Sequence, residues 1–327
     1  MPVMNAEDVA KKWNVKNTSQ TLSLMKVTET PIFDKYFKAK ARGILGNTTT
    51  IKIMKGSGLI LQSVAPDAEH LVHERPTVFE IAVKLPRFPL ENSIGASTLN
   101  EISSLDDQSQ PVQLAAEIGA IQKEHRLSFD TTMEYMCTGA LFGKVMDGTG
   151  KTLFEFASTR SQVEFKSGKS LLTSITEIDD AMVEELGMNP GYVIKCGRGF
   201  YNHVMALATA EDLFTQKLAS IVTEGETIFL VVHGRRFEAH VVKYQNTQGQ
   251  LVAFVGNDEM AAIPNSANFT DFIYGRADHT EAVKSAPTLF FGTTEVLPSG
   301  RGVKVMSETK PLPVCLNPNA VVRGKKV

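Results

Sequence analysis

The sequence predicts an α+β fold, and three observations support this prediction. Apolar side chains recur every three or four positions over residues 109–143, which indicates one long helix. A strand pair with period-two alternation lies before it within residues 46–90, and a strand–helix–strand pattern follows it within residues 170–285. Helices and strands that occupy separate regions of a chain are typical of α+β proteins.

Length, composition and charge bound the function. The chain has 327 residues, of which 43% are hydrophobic, and a formal net charge of -2. That suffices for a sizeable core or for two or three smaller units. A tight nucleic-acid binder would usually show a basic excess. The three cysteines Cys137, Cys196 and Cys315 are odd in number and far apart, which predicts no disulfide framework and indicates a reducing compartment.

Residues 1–45 are predicted to form an N-terminal arm. Short helices are indicated over residues 5–13 and 32–41, and the polar stretch 14–23 between them shows no core pattern. Residues 1–13 lack the apolar segment of a secretory signal, and no apolar run approaches the ~20 residues of a membrane span. We expect such an arm to lie on another surface or on another subunit.

Residues 46–90 are predicted to form a long, hairpin-like strand pair. Its first strand contains Ile51 and Ile53, and its last strand has Phe79, Ile81 and Val83 on one face. A second apolar run, 59–64, and a polar connection, 65–76, lie between them. An isolated hairpin is only marginally stable in water. The pair therefore either belongs to an ordinary sheet or is supported by a neighbouring subunit.

The long helix is predicted to follow a break and a loop. Prolines at 86 and 89 indicate a break over residues 85–90, and the polar residues 91–108 indicate a loop. One face of the helix is formed by Leu114, Ile118, Ile121, His125, Phe129, Met133, Met136 and Ala140. Gly119 costs about 1 kcal/mol relative to Ala within a helix, so it indicates either a bend or close packing.

The remaining elements are predicted from turns and periodicity. Asp147-Gly148 indicates a hairpin turn, with a further strand over 162–165. A helix is predicted over 176–185, capped by Ser174 or Thr176 and ended by Gly187. Later strands are predicted over 192–196, 227–232, 237–243 and 251–255, helices over 200–208 and 211–220, a turn over 233–236, and extended segments over 289–291, 303–306 and 310–314.

No catalytic, cofactor-binding or metal-binding residue is predicted, and no cofactor. Gly168-Lys169-Ser170 resembles the end of a phosphate-binding loop, but Val163 stands where its first glycine belongs. Gly197-Arg198-Gly199 has Asn202 where a dinucleotide loop needs its third glycine, which favours a strand-to-helix turn. His70, His73 and Glu74 lack the spacing of a zinc site. His125 is interpreted as a packing histidine with a hydrogen-bond partner.

The segment 117–153 resembles the core of the lambda-type (E family) major capsid proteins of tailed bacteriophages. The residues that carry the resemblance are Ile118-Gly119, His125-Arg126, Glu134-Tyr135, Gly139-Ala140-Leu141, Gly143, Asp147, Gly150 and Leu153, with Leu85-Pro86, Phe88-Pro89 and Pro311-Leu312-Pro313 flanking them. The resemblance covers residues 50–321, most of the chain.

This resemblance implies a Hong-Kong-97-type capsid fold and a function. The implied parts are an N-terminal arm (1–45), an extended β loop (46–90), a peripheral domain (91–169) with its spine helix (109–143), an axial α/β domain (170–285) and a C-terminal return to the peripheral domain (286–327). The implied function is a major head protein that self-assembles into the icosahedral shell around packaged phage DNA.

The resemblance also implies the partners. These are further copies of the chain in hexamers and pentamers, a portal, a separate scaffold protein and a decoration protein in some relatives. Double-stranded DNA is enclosed without specific binding, in a virion that is assembled in the bacterial cytoplasm. Two alternatives stay open: an encapsulin-like shell, which would enclose cargo rather than DNA, and a small α/β nucleotide-binding enzyme built on residues 170–285.

Overall fold

A computed structural model describes residues 18–25, 27–54, 78–106, 109–156, 158–225, 227–266, 269–297 and 302–327. It divides into two compact units. The first contains the described residues of Met1–Thr49, Val83–Glu134 and Phe272–Pro313, and the second those of Thr50–Ala82, Tyr135–Asp271 and Val314–Val327. The predicted α+β class is confirmed, because the chain combines several helices with several separate and mostly antiparallel sheets.

The helices are α1 Ser19–Leu24, α2 Ala96–Ser103, α3 Ser109–Phe142, α4 Leu171–Leu186, α5 Arg198–Ala210 and α6 Thr280–Val283. The strands are β1 Ala41–Ile44, β2 Thr48–Met54, β3 Val78–Lys84, β4 Phe88–Gly95, β5 Lys144–Met146, β6 Thr152–Glu155, β7 Val163–Phe165, β8 Tyr192–Cys196, β9 Ala219–Glu224, β10 Thr227–Val232, β11 Arg235–Ala239, β12 Lys243–Gln245, β13 Leu251–Ala253, β14 Glu259–Pro264, β15 Thr270–Gly275, β16 Phe291–Val296, β17 Gly302–Thr309, β18 Pro311–Cys315 and β19 Val322–Lys326.

The first unit is built around the sheet β16-β17-β4. Its strands are antiparallel, and β4 pairs with β17 from Phe88 opposite Thr309 to Gly95 opposite Gly302. Helices α2 and α3 bury Ile102, Leu114 and Ile118 with strand residues Ile94 and Val305. A second sheet, β1-β15-β18, pairs β1 and β15 in parallel.

The second unit is built around a seven-stranded sheet of order β7-β19-β14-β8-β11-β10-β9. Helices α4 and α5 cover it with Leu171, Ile178 and Phe200, which pack with Ile194 and Phe237 of the central strands. The sheet takes β7 and β19 from outside residues 170–285, and β19 has no counterpart among the predicted elements. The hairpin β5–β6 is present where Asp147-Gly148 predicts it.

The long helix is confirmed with nearly the predicted bounds. The apolar residues that define its predicted face are buried, except for the half-buried Ile121. Gly119 does not pack closely, since no atom other than the adjacent backbone of its own helix lies within 4 Å of the position a Cβ would take. Close packing therefore does not explain this glycine.

The N-terminal predictions are partly wrong. Residues 19–24 form α1 and bury Leu22 completely, although residues 14–23 show no core pattern. The buried Leu22, the polar contacts to α3 and the hydrogen bonds between Ser19 and Gly292 of β16 hold this helix. The helix predicted over 32–41 is a π-helical turn, Phe33–Phe37, and a 3-10 turn, Lys38–Lys40. The helix predicted over 5–13 lies outside the described residues.

The break predicted over 85–90 is confirmed only for residues 85–87, which belong to no helix or strand, and the loop predicted over 91–108 is wrong for residues 91–103. Residues 88–95 form β4 and residues 96–103 form α2. Strand β4 is at the edge of its sheet, where Pro89 is tolerated because its nitrogen need not donate. Its only buried apolar side chain is Ile94, so the pairing with β17, not hydrophobic alternation, makes this segment a strand.

The strand pair is present as the two-stranded sheet β2-β3. The second apolar run, 59–64, and the polar connection, 65–76, lie outside the described residues.

Two helix predictions in the second unit need correction. Helix α4 begins five residues earlier than predicted, because Ser170 caps it by accepting the Leu172 backbone N–H, while Gly187 ends it as predicted with φ 74°. The helix predicted over 211–220 is a series of turns that leads into β9. Asp212 and Lys217 adopt positive φ of 55° and 59°, which a continuous helix does not allow.

Candidate functional site

The described part of the chain presents buried polar contacts and an exposed apolar patch as candidate functional features, and the sequence predicts no catalytic or metal-binding residue. Within the described ranges, no group of three or more His, Cys, Asp and Glu side chains could hold a metal ion. His70, His73 and Glu74 lie outside those ranges. No described helix is long and apolar enough to cross a membrane.

The two loops that resemble nucleotide-binding motifs, 168–170 and 197–199, each lead into a helix. Lys169 Nζ lies 2.6 Å from the Glu177 carboxylate, so this lysine is engaged in an ion pair, and Ser170 caps α4. Gly197 links β8 to α5, where a Cβ would collide with the carbonyl oxygen of Gly256. The Gly199 N–H donates to Asn257 Oδ1 at 3.0 Å. The strand-to-helix turn predicted here is confirmed.

A line of polar side chains on α3 holds the N-terminal segment of the first unit. Its members, Gln122, Arg126, Asp130 and Glu134, are four residues apart and so share one helix face, and we call them the polar ladder. All except Arg126 are buried. Each therefore needs a hydrogen-bond or charge partner inside the protein.

The backbone and side chains of residues 18–33 supply many of these partners. Gln122 bonds the Thr18 hydroxyl, and Arg126 donates to the carbonyl oxygens of Leu22 and Ser23 at 2.7 and 3.1 Å. The Glu134 carboxylate accepts the N–H groups of Ile32 and Phe33 at 2.8 and 2.9 Å. The ladder thus follows the segment from α1 to the π-helical turn.

Arg126 is also the electrostatic centre of the ladder. Its Nε lies 2.8 Å from Asp130 Oδ1, and its guanidinium lies 3.8 Å from the centre of the Phe290 ring. Burial raises the pKa of Asp130, and the hydrogen bond and charge of Arg126 partly oppose that shift. A buried carboxylate without this arginine would be costly, so the pair acts as a unit.

His125 joins α3 to the sheet of the first unit. Its Nδ1 lies 2.9 Å from the Ser307 hydroxyl and its Nε2 lies 2.9 Å from Asn92 Oδ1. Burial lowers the pKa of His125. The predicted packing role with hydrogen-bond partners is confirmed.

A second polar cluster lies within the first unit and includes residues that flank the strand pair in sequence. It consists of Asn47, Arg87, Asp278, Glu308 and Lys310, and we call it the root network. Lys310 Nζ contacts Asn47 Oδ1 at 2.8 Å and Asp278 Oδ1 at 2.5 Å. Arg87 pairs with Glu308 at 2.7 Å. Lys310 holds the pKa of Asp278 below its usual value.

The seven-stranded sheet ends in β9, and this edge carries exposed apolar side chains. Ile221 is 54% exposed and Ile228 of the adjacent β10 is 59% exposed. The register of the two strands places both side chains on the same face of the sheet, because Ile228 is opposite Thr223 and Leu230 is opposite Ile221. We call Ile221 and Ile228 the edge patch. In the described sheet β9 has a neighbour on one side only, and a free apolar edge is a template for pairing with another chain.

Two arginines of β11, which β10 separates from this edge, make contacts within the chain. Arg235 and Arg236 are predicted to lie in a solvent-exposed turn, but both belong to β11. Arg235 contacts both oxygens of Asp179 at 2.9 and 3.0 Å, and the Arg236 guanidinium lies 3.5 Å from the centre of the Phe229 ring.

The comparison with protein families decides the identity. A model of the family described as phage major capsid protein E matches residues 15–326. The chain belongs to the phage major capsid protein E family. It is therefore a structural protein of the virion that forms the icosahedral shell around packaged phage DNA.

Solved structures agree with this assignment at the level of fold. A prophage protein of E. coli CFT073, described as a capsid protein, aligns over 100% of both chains with 12% identity and a TM-score of 0.59. A phage-related protein of Bordetella bronchiseptica RB50 has 9% identity, covers 94% of this chain and 95% of its own, and has a TM-score of 0.51. No curated protein sequence matches the chain significantly. The predicted Hong-Kong-97-type fold of the E family is confirmed.

Sequence analysis missed the polar ladder and the root network. The ladder has a visible signal, since four polar residues at spacing four adjoin the apolar face of α3. The root network has none, because Asn47, Asp278 and Lys310 meet only in the folded chain.

Proposed function

We propose that this capsid protein forms hexameric and pentameric rings through the edge patch of its seven-stranded sheet. The observation that carries the proposal is the exposure of Ile221 on the edge strand β9 and of Ile228 on the neighbouring strand β10. Around a five-fold or six-fold axis, the edge patch of one copy contacts a different surface of the next copy, because only a two-fold axis brings identical patches together. Contact there removes apolar area from water, at roughly 25 cal/mol per Å².

The same proposal assigns roles to the predicted parts of the chain. Residues 1–45 serve as the arm, 46–90 as the extended loop, 91–169 and 286–327 as the peripheral domain, and 170–285 as the axial domain. Support comes from the strand pair β2-β3, which has no further strand in its described sheet. A pair of that kind gains stability when another subunit packs on it.

We further propose that the shell encloses double-stranded DNA without gripping it. The formal net charge of -2 supports this, because phosphate binding scales with the number of lysine and arginine contacts. A portal, a scaffold protein and, in the mature shell, a decoration protein are the proposed partners. Assembly takes place in the bacterial cytoplasm, and the protein has no catalytic role.

Substitutions in the edge patch test the ring contact. The double variant Ile221→Asp/Ile228→Asp is expected to remain a folded monomer, because charges at both positions oppose the burial of this edge. The matched control Ile221→Val/Ile228→Val keeps both side chains apolar and is expected to assemble. Each protein is expressed with a phage scaffold protein, and its state is measured by sedimentation velocity and negative-stain electron microscopy.

Shells tens of nanometres across from the wild type and the valine control, with monomers from the aspartate variant, would support the proposal. Normal shells from the aspartate variant would show that the ring contact lies elsewhere. A wild type that stays monomeric under every condition would overturn the assembly proposal itself. Nuclease-protected DNA in particles from infected cells distinguishes a phage head from a compartment that holds protein cargo.

A further inference from the structure

We propose that Lys310 is a positioning residue that locks the root of the strand pair β2-β3, and so presents the pair for contact with a neighbouring subunit. The inference rests on the proposed function for its last step, because the pair is assumed to contact another copy. Its first step, the lock itself, concerns one chain and can be tested without assembly.

The position of Lys310 is unusual for a lysine. Only 2% of its side chain is exposed, and it lies in the connection between β17 and β18. A buried ammonium group is retained only when it is paired and hydrogen-bonded. Asp278, Asn47 and Glu308 provide this environment at 2.5, 2.8 and 3.7 Å.

Both ends of the strand pair enter the same network. Asn47 stands immediately before β2, and Arg87 stands three residues after the end of β3. Asn47 bonds Lys310 directly and also donates to Asp278 Oδ1 at 3.2 Å. Arg87 is joined to Lys310 through Glu308, which pairs with Arg87 at 2.7 Å and accepts the Asp278 N–H at 2.8 Å.

Backbone contacts close the root around these side chains. The Leu85 N–H donates to the Asn47 carbonyl at 2.9 Å, which joins the residue before β2 to the residue after β3. The Gly275 N–H donates to the Lys310 carbonyl at 3.1 Å, and the Arg276 N–H donates to the Ile44 carbonyl at 3.2 Å. Lys310 is therefore fixed by its backbone, and its charge fixes Asn47.

The chemistry explains why a charged residue suits this place. Asn47 and Asp278 are largely open to solvent, whereas Lys310 and Glu308 are buried. An apolar side chain at position 310 could fill the space but could not hold an amide and a carboxylate at fixed positions. Directional hydrogen bonds to a single ammonium group fix both.

Amide hydrogen exchange of the unassembled chain tests the lock. In Lys310→Met, which keeps the length of the side chain and removes its charge, exchange at residues 48–51 and 83–85 is expected to accelerate about tenfold or more. Exchange in α3 and in the seven-stranded sheet is expected to stay unchanged. The matched control is Lys304→Met, which removes a partly exposed lysine of β17 that pairs with Glu91 of β4.

A folded Lys310→Met protein with unchanged exchange at the root would overturn the inference, as would an equal acceleration in all elements or the same effect in Lys304→Met. If Lys310→Met does not fold, Asp278→Asn serves instead, since it removes one charge at a half-exposed site. The same tenfold acceleration at the root is expected there, and its absence would count against the lock.

A second experiment measures shell assembly by the variants. With the lock released, shells are expected to form less completely and with a wider size distribution than those of Lys304→Met. Uniform wild-type-like shells from a variant with a loosened root would show that the lock does not serve assembly. Wild-type chains that never assemble would count against the proposed function alone, because the exchange experiment stands without it.

Discussion

The carboxylate of Glu134 accepts the backbone N–H of Phe33 at 2.9 Å, across 101 positions of sequence. The same side chain accepts the N–H of Ile32, so one buried glutamate serves two donors at the start of the π-helical turn. Those donors have no partner in the preceding turn. The polar ladder thus ends in a contact that caps a distant segment, and residues 18–33 and α3 depend on each other.

Replacing Glu134 with glutamine is therefore expected to destabilise the first unit by about 2–3 kcal/mol, the cost of losing charge-assisted bonds and burying a mismatched donor. The glutamine amide has one acceptor for two N–H groups, and its own NH₂ faces donors. Urea unfolding measures the change in stability. Limited proteolysis reports whether residues 27–40 become accessible first.

The matched control is Glu124→Gln on the exposed side of the same helix. Its free energy of unfolding is expected to stay within about 0.5 kcal/mol of the wild type. Equal effects of the two substitutions would mean that the Glu134 contacts contribute nothing specific.

Some elements of the fold can be predicted from the sequence and others cannot. The helix 109–142 and the hairpin around Asp147-Gly148 are predictable because their own residues carry the periodicity and the turn chemistry. Strand β4 is not, because its pairing partner β17 lies more than 200 residues away and its own residues are largely polar. The end of the chain is similar, since β19 becomes a strand only between β7 and β14.

The family can also be predicted from local sequence, whereas the edge patch and the root network cannot. The family and its function can be predicted from residues 117–153 because a sequence pattern marks them. The edge patch cannot, since apolar residues in β9 and β10 look like core until the sheet order shows β9 at its end. In the sequence, Lys310 looks like an ordinary solvent-exposed lysine before Pro311, and only its burial in the folded chain reveals the root network.

Gly119→Ala is expected to stabilise the chain by about 1 kcal/mol, because alanine favours the helix and no atom other than the adjacent backbone of its own helix lies within 4 Å of the added methyl group. Thermal unfolding of the unassembled chain measures this effect. We also propose that Gly119 lets α3 bend in the immature shell and straighten on expansion. Normal maturation of the variant, with the same helix path in both shells, would contradict the bending proposal.

Gly139→Ala on the same helix is expected to do the opposite. A Cβ at Gly139 would lie within van der Waals overlap of the Lys144 carbonyl oxygen, where the chain turns back to form β5. That atom belongs to the backbone and cannot move aside cheaply, so we expect a loss of about 1–3 kcal/mol. The two alanine variants form a matched pair in one unfolding assay, and a stabilising Gly139→Ala would show that the turn after α3 relaxes freely.

Acid is expected to destabilise the second unit through His240. Burial, with a smaller contribution from the Lys195 charge, lowers the pKa of His240 from 6.5 to about 4, while Glu238 opposes the shift. The unfolded chain then binds the proton more readily, so stability is complete above about pH 6.5 and falls as the pH drops towards about 4. At 1.36 kcal/mol per pKa unit, the full loss is about 3 kcal/mol.

His240→Phe is expected to remove this part of the acid sensitivity. Among the described residues none hydrogen-bonds the Nε2 of His240, and the ring of Phe254 lies 6.3 Å away, so a phenyl ring suits the site. Urea unfolding at pH 7.5 and pH 4.5 measures the pH dependence, with His279→Gln as the control at a partly exposed histidine. The loss of stability between the two pH values should shrink only in His240→Phe, and an unchanged loss would mean that His240 does not stay neutral in the folded chain.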